Sequence, residues 1–330
     1  MSHVAVSSPL PNDYIKSNRH MFFSFHPDSF SFLSGYLGVN TAKISGSLLI
    51  RTPQEIEASE INLYFIGREK VEWGVDFRKA KAKDEYIIFN LHENLWTTSD
   101  PVGYELITEL SLPFEFEVPS DAVESFESSF GSVRYTLKAV IIRNQKKKNK
   151  WVEVIVPILR WSQPPEEELS PLVLKSKDIS QRKHQIGWEA ELPKTFFDIG
   201  SKRFKVKLKI ICRQPDLRIR KINSYLKGIF KYKANNLSFE KEQYCYKGEI
   251  SGNDIIIVPN GVDIIFEVKV IIDIPSNILP TCQTKYMNII NEIQIKVIFE
   301  RSNTFVLITR EIFLGRNYNI DGESINELSD

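Results

Sequence analysis

LPFEFEVPSDAVESFESSFGSVRYTLKAVIIR, residues 112–143, decides how the rest of the chain is read. Both of its ends read as β-strands. Glu115 and Glu117 alternate with Phe114 and Phe116, and a strand sends successive side chains to opposite faces, so the acids take the wet face and the rings the dry one. Between the two ends lies a run of Ser, Glu and Phe with no Asn-Gly or Asp-Gly turn. That middle piece is either a loop that carries chemistry or the path between two strands. Within it, PSDAVESF suits a short helical turn with Ser120 or Asp121 as N-cap. Phe126 and Phe130 are apolar rings in a polar run, costly to leave in water, and are expected to plug the loop into a core.

The same alternation extends in both directions. Ile44, Leu48 and Ile50 share a face with Gly46. Ile61, Leu63 and Phe65 alternate with Glu60, Asn62 and Tyr64. Phe204, Val206, Leu208 and Ile210 alternate with Arg203, Lys205, Lys207 and Lys209. Further on come Phe266, Val268, Val270 and Ile272, then Ile293, Ile295, Val297 and Phe299. One buried and one wet face per strand is the mark of antiparallel sheets in sandwiches; buried parallel sheets show continuous apolar runs. No succession of strand and helix suggests βαβ units. The chain reads as all-β, with strands separated by turn residues.

At 330 residues the chain has room for about two domains at roughly 150 residues each. A joint stands out at SQPPEEELSP, where Pro164, Pro165 and Pro171 cannot donate ladder hydrogen bonds and Glu166, Glu167 and Glu168 prefer water. Strand pattern resumes near His184. The expected layout is a flexible leader over 1–20, one β domain over 21–165, a linker over 166–182, a second β domain over 183–316 and a flexible tail over 317–330.

Lys plus Arg number 43 against 42 Asp plus Glu, a formal net charge of +1. No global field draws the protein onto nucleic acid. Three cysteines, Cys212, Cys245 and Cys282, are far apart, form no C-x-x-C and read as reduced thiols. The first residues, MSHVAVSSPLPNDY, lack the basic and apolar regions of a signal peptide, and no apolar run approaches the roughly 18 residues of a membrane span. The expectation is a cytosolic protein.

Nothing in the sequence reads as a catalytic, cofactor or metal site. His3, His20, His26, His92 and His184 show no ligand spacing, and His26-Pro27-Asp28 reads as a turn. Nucleophile-elbow, P-loop and dinucleotide-binding signatures do not occur. The chain is read as a non-enzyme that needs no cofactor. Two basic features remain as candidate contacts for an anionic lipid surface or a partner. One is the hairpin tip RNQKKKNK with Lys146, Lys147, Lys148 and Lys150, worth about 1 kcal/mol per cation near an anionic leaflet. The other is the strand face of Arg203, Lys205, Lys207 and Lys209. The bland reading of both is a solvated face; on the strand, such charges also discourage edge-to-edge pairing.

The opening stretch resembles the arrestin-related trafficking adaptors, or α-arrestins, in their N domain. The match runs through Leu112, Pro113, Phe114, Phe116, Pro119, Ser125, Phe126, Glu127, Gly131, Val133, Arg134, Tyr135, Lys138 and Ala139. Upstream it takes in Gly46, Ile61, Leu63, Gly67, Val71 and Trp73. The second half resembles an arrestin C domain, most tellingly at Ile274, Pro275, Leu279, Pro280 and Thr281. The resemblance covers about residues 22–315. It implies two antiparallel Ig-like β-sandwiches in tandem, no catalytic residues, and an adaptor that binds membrane-protein cargo or trafficking proteins in endocytic sorting and intracellular transport, in the cytoplasm and transiently at a plasma or endosomal membrane. Some family members recruit ubiquitin ligases through Pro-Pro-x-Tyr; here Pro164-Pro165 is followed by Glu166-Glu167. The alternatives are a peripheral lipid-binding β-sandwich, a retromer-subunit-like sorting component and, more remotely, an extracellular Ig-like adhesion protein.

Overall fold

The computed structural model describes residues 15–16, 20–25, 32–75, 80–143, 147–176, 186–214, 217–260, 263–300 and 304–318. The chain is almost entirely strand and divides into two compact units. The first is Met1–Trp161 with Tyr232–Ser238 and Thr284–Met287; the second is Ser162–Lys231, Phe239–Gln283 and Asn288–Asp330. The architecture is the tandem, antiparallel β-sandwich expected from the sequence.

The first unit holds β1 (Ile15–Lys16), β2 (Met21–Phe25), β3 (Lys43–Ala58), β4 (Glu60–Val75), β5 (Ala80–Thr97), β6 (Glu105–Glu117), β7 (Phe126–Glu127), β8 (Gly131–Ile142) and β9 (Lys150–Ile155). One sheet runs β1-β2-β3-β6. The other runs β5-β4-β8-β7, with β9 also on β8. Alternation decides the core: Phe114 and Phe116 are buried while Glu115 and Glu117 are exposed, and Ile61, Leu63 and Phe65 are fully buried. Phe65 of β4 and Phe116 of β6, ring centres 5.9 Å apart, join the two sheets.

Two glycines on these strands each lie between a pair of aromatic residues. In register, Gly46 has Phe25 on one side and Phe114 on the other, with ring centres 6.2 Å apart. Gly67 has Phe89 and Tyr135, stacked at 5.5 Å. A Cβ on Gly67 would lie 2.7 Å from the Tyr135 ring. The missing side chain lets the flanking rings close over the bare backbone, a cross-strand contact that offsets the weakness of glycine in a strand.

The connection from β6 to β8 contains no helix. Ser120 and Asp121 form a turn, with the Ala122 N–H donating to the Pro119 carbonyl at 2.9 Å. The carbonyls that a helical turn would use internally go elsewhere. Arg160 Nη1 donates to the carbonyls of Ser120 and Ala122, both at 2.7 Å, and the Tyr135 hydroxyl donates to that of Val123 at 2.6 Å. Ser125 and Ile158 exchange two bonds of 2.8 Å. Phe126 is buried and pairs with Val133, so it plugs the core as expected; Phe130 is half-buried, edge-on to Tyr232 at 5.8 Å within the same unit.

The second unit holds β10 (Trp161–Ser162, where the division falls), α1 (Glu166–Leu169), β11 (Leu172–Lys175), β12 (Ile186–Leu192), β13 (Phe196–Asp198), β14 (Arg203–Cys212), β15 (Ile219–Ala234), β16 (Leu237–Ser251), β17 (Ile256–Asn260), β18 (Asp263–Asp273), β19 (Cys282–Gln283), β20 (Met287–Phe299) and β21 (Phe305–Asn317), except for the ends of β15, β16 and β20 that fall within Tyr232–Ser238 and Thr284–Met287 of the first. One sheet runs β10-β21-β20-β15-β16, with β13 on β21 and β19 on β20; the other runs β11-β12-β14-β18-β17. Leu208, Ile210, Phe266 and Val270 pack against Ile222, Leu226, Ile293 and Ile295 in a shared core.

Of the expected linker over 166–182, residues 166–176 are described and carry two short elements, while 177–182 lie outside the described residues. Glu166–Leu169 is a single helical turn entered from Pro165, and β11 pairs in register with β12 from Leu172↔Leu192 to Lys175↔Glu189. Leu172 and Leu174 rest against the core, which is why this short segment joins a sheet. Of the expected leader, β1 pairs with β2. His3, His26 and His184 lie outside the described residues.

Candidate partner-binding surfaces

Alternation along β9 sends Val152 and Val154 into the core and Trp151, Glu153 and Ile155 outward. Trp151 is 59% exposed and Ile155 58%, large values for apolar side chains on one short strand. Lys138, on the outward face of β8, brings its Nζ to 5.4 Å from the centre of the Trp151 ring. The loop before β9 supplies the expected cations. Lys147 and Lys148 are exposed, Lys147 ion-paired to Glu57 at 2.7 Å, and Lys150 is half-buried at the start of the strand. Lys146 lies outside the described residues. The hairpin therefore presents an indole and an aliphatic side chain beside several ammonium groups. Trp151 and Ile155 escaped the sequence reading, although the alternation of KWVEVI already set them opposite the valines.

The cations of β14 sit among acids on neighbouring strands. Lys207 Nζ is 2.8 Å from Glu191 of β12, and Arg203 Nε is 3.3 Å from Asp273 of β18. Lys209 has Glu189 and Glu267 directly across, while Lys205 faces Ile271. Beside this face lies an open groove of about 790 Å³, into which Lys207, Lys209 and Lys269 converge with Glu189, Glu191, Glu249, Asp254 and Glu267. Five carboxylates against three ammonium groups make it a mixed surface with an acidic excess. That arrangement suits a zwitterionic partner surface better than a sheet of phosphates.

The opposite sheet of this unit carries a charge that alternation alone would leave in water. Lys227 is almost fully buried on β15, with Glu292 of β20 at 3.0 Å and Glu242 of β16 at 3.1 Å. Burial works against its charge, but hydrogen bonds and attraction from the two glutamates outweigh it and hold the ammonium above the ordinary lysine range.

Catalytic chemistry finds little to use. Among the described residues, no group of His, Cys, Asp or Glu is placed to hold a metal ion. Cys212 is buried, and burial pushes its thiol up to about 12. His92 binds the Asn62 side-chain oxygen at 3.1 Å and stacks on Tyr64, a surface contact on β5. Among the described residues, no helix is long and apolar enough to cross a membrane.

Residues 36–160 match the family model described as arrestin (or S-antigen), N-terminal domain. This stretch of the chain is an arrestin N-terminal domain. The arrestin domain spans β3 to β9 and ends one residue before the division of the chain at Trp161. No curated protein matches the chain significantly. The arrestin family as a whole is one of trafficking adaptors and non-enzymatic scaffolds.

Within the arrestin domain, the signature residues are structural in their contacts. Phe114, Phe116, Val133 and Tyr135 are core, and Pro113 is exposed in β6. Pro119 begins the turn, Gly131 opens β8, and Arg134 pairs with Glu127 at 2.8 Å on the surface. Apart from the exposed Pro113 and the surface Arg134, these signature residues hold the sandwich together, whereas Trp151, Ile155 and the cations beside them face solvent.

Proposed function

We propose that this protein is an adaptor of the α-arrestin type: a non-enzymatic scaffold that binds membrane-protein cargo or trafficking proteins in endocytic sorting and intracellular transport. It acts from the cytoplasm, with transient contact at a plasma or endosomal membrane. The arrestin N-terminal domain over 36–160 is the observation that carries this reading. A fold built from two sandwiches offers binding faces and sheet edges rather than a water-excluding cleft, and partners of such surfaces add to them by strand pairing or surface contact. A ubiquitin-ligase link belongs to the same proposal. It would not run through Pro164-Pro165, because Pro165 is followed by Glu166 and Glu167 of α1. The adaptor itself requires no cofactor and no nucleic acid. Affinity capture of the full chain from cells tests the reading: membrane cargo or sorting components should co-purify, and their absence from repeated captures contradicts it.

A second reading, peripheral binding to anionic lipid, is favoured by one specific observation, the exposed Trp151 and Ile155 beside Lys147, Lys148 and Lys150. Indole rings settle at the headgroup level while lysines reach anionic headgroups. Sedimentation with vesicles, with and without phosphatidylserine, tests it. Replacing Trp151 and the three lysines by Ser should abolish salt-sensitive binding; binding unchanged by the replacement rules this surface out.

A further inference from the structure

We draw no further inference here: the strongest candidate, the open groove beside β14 and β18 of the second unit, where the exposed Ile256 and Ile271 meet Lys207, Lys209 and Lys269, belongs to the surface already described, and nothing in the structure shows what covers it.

Discussion

The Tyr135 hydroxyl donates to the main-chain carbonyl of Val123 at 2.6 Å, tying β8 to the loop that leads into it. Tyr135 is fully buried, so this is a core side chain whose polar tip finds its partner in the backbone twelve residues earlier. Tyr135→Phe keeps the ring and strands the carbonyl. The expected loss is about 1–3 kcal/mol, the cost of an unsatisfied buried polar group. Urea denaturation measures it; a midpoint equal to the wild type would mean that the loop is held by Arg160 and Phe126 alone.

Phe126 gives the same loop its apolar anchor. Phe126→Ala should cost about 3 kcal/mol, within the range for emptying a buried phenylalanine site. Thermal unfolding followed by circular dichroism would register this as a clear drop in melting temperature. No drop would mean that the side chain rests on the surface of the loop.

Gly67 is expected to reject even a methyl group. A Cβ placed 2.7 Å from the Tyr135 ring would force that ring off its stack with Phe89. Gly67→Ala should destabilise by about 1–3 kcal/mol through overpacking. A Gly67→Ala protein as stable as the wild type would show that the Phe89–Tyr135 pair can open at little cost.

Lys227 contributes a pH dependence with a definite sign. Its folded-state value is raised above the ordinary 10.5, so the stabilisation is fully present at neutral pH and is lost as pH climbs through the raised value. Lys227→Met would strand the partly buried Glu292 and should cost about 1–3 kcal/mol at neutral pH. Removing the acid as well, in Lys227→Met with Glu292→Leu, should recover part of that loss, since a buried pair replaced as a whole is often nearly neutral. Denaturation profiles from neutral to alkaline pH would also show the alkaline decline weakened in Lys227→Met. A single variant as stable as the wild type contradicts the ion triad.

The strand faces were legible because a half-buried strand writes its two environments into alternate residues, as in Phe114-Glu115-Phe116-Glu117. The resemblance carried by Gly46, Gly67 and Tyr135 was legible too, but not its cause, which is the closure of paired rings over each glycine. What stayed hidden depends on strands that meet only in the fold. Lys227 alternates as a wet residue should, and it is buried by β16 and β20, whose pairing no local pattern announces. Glu69 likewise reads as an ordinary charge, yet it points inward and accepts bonds from Thr284 Oγ1 and the Tyr286 N–H within the first unit. Ser120 and Asp121 had the chemistry of a helix cap. The turn formed instead because Arg160 and Tyr135 claim the carbonyls that a helix needs.

The most direct test of the adaptor account is quantitative surface proteomics on cells lacking the protein. The account predicts that a defined set of membrane proteins accumulates at, or disappears from, the cell surface, and that re-expression of the chain restores their levels. A surface proteome unchanged by loss of the protein would contradict it.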